Sequence, residues 1–156
     1  MPRHLITSAL PYANGPIHFG HVAGAYLPAD VYARYQRMKG EEVLYVCGSD
    51  EHGVAITLKA EQQGVSYRDY VDRWHGEIKQ LFDQFGISFD IWSGTARCPH
   101  HAETSRRFFR VLLERGFVFE RSEAQWYAES MQRFLPDRYV EGICPQCGFE
   151  KARGDE

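Results

Sequence analysis

Two short apolar runs separated by one long stretch of helical periodicity set the tightest limit on how this chain folds. Leu5-Ile6-Thr7-Ser8-Ala9-Leu10 contains β-branched residues and breaks off at the turn-forming Pro11-Tyr12-Ala13-Asn14-Gly15-Pro16, so it reads as a buried strand feeding a loop. From Ile17 to Met38 the residues Val22, Ala25, Tyr26, Ala29, Tyr32, Ala33 and Gln36 recur at helical spacing, with Pro16 suited to the first helical position. Pro28 lies inside this pattern and is expected to remove the bond to Gly24 and bend the helix. Gly40 is placed to close it, and Val43-Leu44-Tyr45-Val46-Cys47 forms the next buried strand. A strand, a crossover helix and a second strand in one sheet run parallel and right-handed, which predicts an α/β chain carrying half of a doubly wound parallel sheet.

The same signals continue downstream. Gly48 to Gly53 reads as a second strand-to-helix loop, Val54 to Gln63 as a short helix closed by Gly64, and Ser66 as the N-cap of a helix with Tyr70, Trp74, Ile78, Leu81, Phe82 and Phe85 on one face. Ile87 to Trp92 alternates like a third strand, and Glu103 to Arg115 is a basic amphipathic helix ended by Gly116. Phe117-Val118-Phe119 and Trp126-Tyr127 are expected as strands of a smaller antiparallel unit. The expected division is therefore 1–116 for the α/β part and 117–156 for the start of an insertion.

Composition narrows the partners. With 44% hydrophobic residues the chain can build a core, and a formal charge of -3 provides no global basic field from which nucleic-acid binding could be inferred. Leu5 to Leu10 is too short for a signal-peptide core, and no run approaches the roughly 20 apolar residues of a membrane span, so a cytoplasmic location is expected. Disulfides are disfavoured there, and the C-x-x-C of Cys144 and Cys147 reads first as metal-binding or redox-active.

In an open α/β sheet, ligands bind beyond the carboxyl ends of the strands, where the loops from Leu10 to His21 and from Gly48 to Gly53 should meet. His18 and His21, three apart at a helix start, put both imidazoles on one face beside unpaired backbone N–H groups, an arrangement suited to phosphate; Gly20 between them lets a base or phosphate approach the backbone. Ordinary surface or core histidines near a turn are the plainer alternative. Neither G-x-G-x-x-G after the first strand nor G-x-x-x-x-G-K-[ST] occurs, which argues against a nicotinamide enzyme or a P-loop nucleotidase. Asp50 can cap the following helix. Cys144 and Cys147 form half a zinc knuckle rather than a thioredoxin-like site, since no helix is expected to begin between them; zinc needs two further ligands. Cys98, His100 and His101 read as an exposed loop, His52 has no assigned role, and His75 is expected to be a solvated helix position. Arg106, Arg107, Arg110 and Arg115 form a positive face, most simply a solvated one.

Ala9-Leu10-Pro11-Tyr12-Ala13-Asn14-Gly15-Pro16-Ile17-His18-Phe19-Gly20-His21 resembles the HIGH-motif segment of class I aminoacyl-tRNA synthetases, and of the methionyl-tRNA synthetase family in particular. Cys47-Gly48-Ser49-Asp50-Glu51-His52-Gly53 resembles that family's second-strand loop. Phe134-Leu135-Pro136-Asp137-Arg138-Tyr139 with Cys144-Pro145-Gln146-Cys147-Gly148 resembles its connective insertion and zinc knuckle. H-x-G-H alone also fits other nucleotidyltransferases, and a noncatalytic fragment acting as a binding module is the third class open at this point. The resemblance implies the N-terminal half of a Rossmann-like catalytic domain and a methionine-tRNA ligase using ATP with Mg2+, methionine and tRNA(Met). It implies ATP contacts at His18, Gly20 and His21, with His18 and His21 catalytic, methionine contacts at Leu10, Tyr12 and Asp50, and Zn2+ at Cys144 and Cys147. The family's lysine-bearing K-M-S-K-S loop does not occur, so this stretch is expected to be an incomplete N-terminal portion, inactive in isolation.

Overall fold

The computed structural model describes residues 2–153. Three strands, β1 (Arg3–Thr7), β2 (Glu42–Ser49) and β3 (Ile91–Gly94), form one parallel sheet in the order β1-β2-β3. Register sets Leu5 against Leu44, Thr7 against Val46, and Val46 in turn against Ile91. The first crossover is helical from Phe19 to Met38 and the second consists of α3 (Val54–Gln63) and α4 (Tyr67–Gln84). The parallel β-α-β arrangement expected from the two apolar runs is thus present. The first strand is shorter than its apolar run, and the third begins at Ile91 rather than Ile87, because residues 87–90 are used to dock the sheet onto the first crossover.

That docking centres on Asp30, buried at 4% exposure. Its carboxylate accepts from the Ser88 N–H at 2.6 Å, the Ser88 hydroxyl at 2.5 Å and Arg34 Nε at 2.6 Å. Burial pushes the Asp30 pKa up, but the hydrogen bonds from Ser88 and Arg34 outweigh it and hold the carboxyl below its ordinary value of 3.8.

The first crossover helix starts later than Pro16 suggests. It comprises α1 (Phe19–His21), a π-helical turn (Val22–Tyr26) and α2 (Leu27–Met38), and Pro28 falls in the first turn of α2. The wide turn explains how proline is tolerated: with the N–H of residue 28 missing, the ladder shifts to an i→i+5 bond from Leu27 N–H to the Val22 carbonyl. Gly40, at φ 79°, closes α2 as expected, with its N–H on the Arg37 carbonyl and that of Glu41 on Gln36. Ser66 caps α4 through Asp69 N–H, and Gly64 ends α3.

Both crossovers pack on the same face of the sheet. Tyr45 and Cys47 of β2 point into one buried cluster with Tyr26 and Ala33 from the first crossover and Ile78 and Phe82 from the second. Burial pushes the Cys47 thiol up to about 11, so it remains protonated and serves as a small apolar core residue. The alternate residues, Leu5 at 69% exposure with Leu44 and Ile91, lie on the opposite, uncovered face. The described sheet carries helices on one face, as half of a doubly wound sheet does, because two successive right-handed crossovers that add strands in one direction stay on one side.

Helix α5 (His101–Glu114) follows β3, and the compact units divide within it, as Met1–Phe108 and Phe109–Glu156. The second unit contains two small antiparallel pairs: β4 (Tyr127–Ala128) with β5 (Arg133–Phe134), and β6 (Glu141–Gly142) with β7 (Ala152–Arg153). Phe117 to Phe119 forms no strand; Phe119 is 81% exposed and pairs with no other segment among the described residues. Among the described residues, no helix is long and apolar enough to cross a membrane.

Replacing Asp30 by Asn turns one acceptor oxygen into a donor facing Ser88, and should lower stability at pH 7 by about 1–3 kcal/mol in urea unfolding. Because the folded-state pKa lies below that of the unfolded chain, the Asp30 contribution is complete above the ordinary carboxylate value and fades as pH falls through the lower, folded-state value. The gap between wild type and Asp30→Asn should accordingly narrow when unfolding is repeated at pH 3.

Candidate functional site

The loops after β1 and β2 are stitched together by backbone. Asp50 N–H donates to the Pro11 carbonyl at 2.8 Å and Ala13 N–H donates to the Asp50 carbonyl at 2.8 Å, so Tyr12 and Asp50 form a parallel bridge beyond the strand ends. Ala13 is fully buried in a second cluster with Ile56, Ala60, Tyr70 and Val71, which anchors the turn to α3 and α4. The Asn14 carbonyl accepts from Lys59 Nζ at 2.8 Å and from the Tyr70 hydroxyl at 3.1 Å. The segment from Leu10 to Asn14 is therefore held from both sides before the helix begins.

His18 is the N-cap of that helix. Its Nδ1 accepts from Gly20 N–H at 3.1 Å, and His21 Nδ1 accepts from His18 N–H at 3.1 Å, a reciprocal capping box built from two imidazoles. A backbone amide can only donate, so both Nδ1 atoms are acceptors and each neutral ring carries its proton on Nε2. The rings lie 3.9 Å apart between centroids at 37°, and both residues are exposed. The arrangement presents two Nε2–H donors side by side at the carboxyl edge of the sheet. One detail of the sequence expectation changes: the backbone N–H groups of His18 and Gly20 are not free to meet an anion, since the imidazoles take them. A Cβ on Gly20 would stand 3.0 Å from the His18 ring, tight enough that the capping imidazole would have to shift.

His21, Leu10, Tyr12, Tyr26 and Lys59 line a cavity of about 480 Å³ beside the turn. Leu10 also borders a second cavity of about 450 Å³ over the strand ends, lined by Thr7, Val46, Ile91 and Thr95. Asp50 lines neither, although it adjoins Tyr12 through the bridge. It is half-buried, and among the described residues its carboxylate makes no hydrogen bond or ion pair.

Sequence reasoning missed the group beneath Asp50. Glu51 has no exposed surface. Its Oε1 accepts from Ser49 Oγ at 2.8 Å and from Arg97 Nε at 2.6 Å, and its Oε2 from Ala96 N–H at 2.9 Å. Its own N–H donates to Thr95 Oγ1 at 2.8 Å, and its carbonyl accepts from the Tyr67 hydroxyl. Arg97 reaches on to Asp72 at 2.6 Å. His75, expected to be solvated, is corrected here: its side chain is only 18% exposed, and its Nδ1 lies 2.7 Å from Ser49 Oγ and 3.4 Å from Glu51 Oε1. Burial, with the nearby Arg97 charge, lowers the His75 pKa below its ordinary value and favours the neutral ring. Since the Ser49 hydroxyl proton goes to Glu51, His75 Nδ1–H supplies the bond to Ser49 Oγ. Spacing held the missed signal: Val71, His75, Ile78 and Phe82 fall on one helical stripe. His52 is exposed, with Nδ1 3.4 Å from the Tyr67 hydroxyl.

In the second unit, Cys144 and Cys147 lie on the turn between β6 and β7. Gly148 N–H donates to the Cys144 carbonyl and Cys144 N–H to that of Phe149, both at 2.9 Å. The Cys147 and Gln146 backbone N–H groups face the Cys144 sulfur and lower its pKa below 9.0. Among the described residues no group of three or more His, Cys, Asp or Glu side chains is placed to hold a metal, which includes Cys98, His100 and His101. Arg106, Arg107, Arg110 and Arg115 are all exposed.

Known proteins similar in sequence and fold point to one family. The family model described as tRNA synthetases class I (M) matches residues 4–156. The methionine–tRNA ligase of Rubrobacter xylanophilus is 56% identical over 99% of this chain, and that of Parabacteroides distasonis 57% identical over 99%; the chain spans 26% and 22% of their respective lengths. Among solved structures, Mycobacterium tuberculosis methionyl-tRNA synthetase in complex with methionyl-adenylate superposes with a TM-score of 0.76 at 25% identity, covering 98% of this chain and 31% of that one. A parallel sheet with paired histidines capping its first crossover helix, joined to a family match over nearly every residue, shows that the chain belongs to the class I tRNA synthetases, in the family designated (M).

Proposed function

We propose that this chain is an N-terminal portion of a methionine-tRNA ligase, an enzyme that activates methionine with ATP and transfers it to tRNA(Met) in the cytoplasm. The observation that carries this reading is the pair of Nε2–H donors on the exposed, stacked His18 and His21, the latter lining a cavity with Leu10 and Tyr12. In the activation step the methionine carboxylate oxygen attacks the α-phosphorus of ATP. A P–O bond forms to the carboxylate, the bond from the α-phosphorus to the bridging oxygen breaks, and pyrophosphate leaves with the electron pair. No covalent enzyme nucleophile is needed, so catalysis rests on positioning and on donors aimed at phosphate oxygens. His18 and His21 supply such donors without reorganising, since the cap already fixes their tautomers. Gly20 leaves exposed backbone for the adenine, and Mg2+ accompanies the triphosphate.

Methionine selection falls to the neighbouring loop. Leu10 and Tyr12 offer an aliphatic and an aromatic wall for a polarisable thioether. The Asp50 carboxylate, half-buried and without a protein partner among the described residues, is available to the substrate's ammonium group.

The Cys144–Cys147 turn suits zinc in its chemistry: two sulfurs at C-x-x-C spacing, backbone N–H groups favouring the thiolate, and Gly148 at φ 76°. These residues fit half of a tetrahedral set, which would need two further ligands. Zinc there would order the turn between β6 and β7 and takes no part in adenylate formation.

Three outcomes test the proposal in a full-length protein carrying this segment. Asp50→Asn should lower methionine-dependent ATP–pyrophosphate exchange about 100-fold, as expected when one partner of a desolvated charge pair is removed. His21→Ala should lower kcat for exchange by about 100-fold with a nearly unchanged methionine KM, since its donor acts on developing phosphate charge; equal exchange with norleucine, cysteine and methionine would sink the methionine assignment. Metal analysis should find zinc in the wild type and its loss in Cys144→Ser.

A further inference from the structure

We infer that Glu51, buried beneath the substrate loop, is a positioning residue that sets the Asp50 carboxylate for the substrate ammonium, through a clamp made with Thr95, Ala96 and Arg97. The inference rests on the reading of Asp50 given above and adds how that carboxylate is held.

The geometry is unusually complete for one residue. Glu51 is fully buried, yet each of its polar groups has a partner: N–H to Thr95 Oγ1, carbonyl from Tyr67, Oε1 from Ser49 and Arg97, Oε2 from Ala96 N–H. Three of these partners, Thr95, Ala96 and Arg97, belong to the turn that leaves β3, where Arg97 and Cys98 N–H both bond the Gly94 carbonyl. Asp50, one residue earlier, is bonded through both its backbone groups to Pro11 and Ala13. The dipeptide thus has its first residue fastened to the loop after β1 and its second to the loop after β3. With backbone fixed on both sides, the Asp50 side chain has little freedom beyond its own rotamers, and no other side chain is needed to aim it.

Gly94 reports how closely the clamp is fitted. A Cβ at this position would stand 2.5 Å from Glu51 Cδ, so the carboxylate lies directly on the end of β3. A solvated acid merely capping α3 would not require this: α3 begins at Val54 with no side-chain cap, and Glu51 faces away from its amides toward the β3 turn. His75, through Ser49, and Asp72, through Arg97, extend the support into α4. None of these groups lines the cavities bounded by Leu10, apart from Thr95, so Glu51 has no direct route to a substrate.

The test uses a full-length protein carrying this segment and measures methionine affinity alongside the affinity for 4-(methylthio)butanoate, which lacks the ammonium group. Glu51→Gln keeps the volume but presents an NH2 group to donors; it should weaken methionine binding about tenfold and leave the analogue and the ATP KM nearly unchanged. Thr95→Val, which removes the acceptor for Glu51 N–H, should shift methionine in the same selective direction by a smaller factor and covers the case of Glu51→Gln failing to fold, whereas an effect through the cavity that Thr95 lines would weaken methionine and the analogue alike. Because Glu51 acts through Asp50, adding Glu51→Gln to Asp50→Asn should produce no further loss. Equal weakening of methionine and its analogue in both single variants, or additive losses in the double variant, would overturn the positioning role while leaving Asp50 in place. Undiminished methionine binding in Asp50→Asn would instead remove the Asp50 reading and this inference with it.

Discussion

A carboxylate with no exposed surface has to be neutralised where it sits, and Glu51 is neutralised by a guanidinium, a backbone amide and a hydroxyl drawn from β2 and the turn after β3. Other features of the site follow from that requirement. The turn at residues 94–98 is folded back so that Ala96 and Arg97 reach the acid, Gly94 lacks a side chain because the acid occupies its place, and α4 presents His75 to Ser49 and Asp72 to Arg97. Asp50 inherits its placement from this arrangement and from the backbone bonds to Pro11 and Ala13. The loops after all three strands therefore behave as one piece of structure, although they are far apart in sequence.

Local chemistry made much of the fold legible in the sequence. Val54, Gln63 and Gly64 delimit α3 where the apolar pattern and its closing glycine placed it, and Ser66 caps α4 by the expected bond to Asp69 N–H. These are short-range effects, decided by a few neighbouring residues. The errors were of long range. Residues 87–90 alternate like a strand, but Asp30, 58 residues before Ser88, takes the Ser88 N–H and hydroxyl. Phe117 to Phe119 has strand-like composition and no partner strand to realise it. At the site, the motif placed His18, His21 and Asp50 on adjoining loops, whereas Glu51 received no role because its partners at 95–97 carry no recognisable pattern.

The first crossover helix shows two local rules being traded against each other. Proline at position 28 forbids a regular α-helical ladder, and the chain answers with a π turn at Val22–Tyr26. That wider turn sits immediately after the His18–His21 capping box, so the histidines are fixed by their own reciprocal bonds and not by regular helix continuing below them. Capping by imidazole also explains why the usual Ser, Thr, Asp or Asn is dispensable here: Nδ1 does the work of a side-chain oxygen, and the neutral ring keeps its proton on Nε2. One bond thus completes the helix start and sets the chemical state of the group that faces the cavity.

Where the core lies also decides which parts of the site are preorganised by this segment itself. All of the buried apolar packing of the sheet is on the side of the two crossovers, around Tyr45, Phe82 and Tyr26, and the opposite face leaves Leu5, Leu44 and Ile91 exposed. Had the site residues depended on the uncovered face, their geometry would require additional structure to form. They do not: Asp50 is fixed by backbone bonds to Pro11 and Ala13 on either side of Tyr12, Ala13 and Asn14 by the cluster with Tyr70, Glu51 by the β3 turn, and the histidines by their cap. Each constraint closes among residues 11–97, on the packed face or at the strand ends. The cavity beside Leu10 is different, since Thr7, Val46 and Ile91 on its floor belong to the open face. Polar positioning in this family member is therefore local to the first unit, while the cavity over Thr7, Val46 and Ile91 stands on the uncovered face of the sheet.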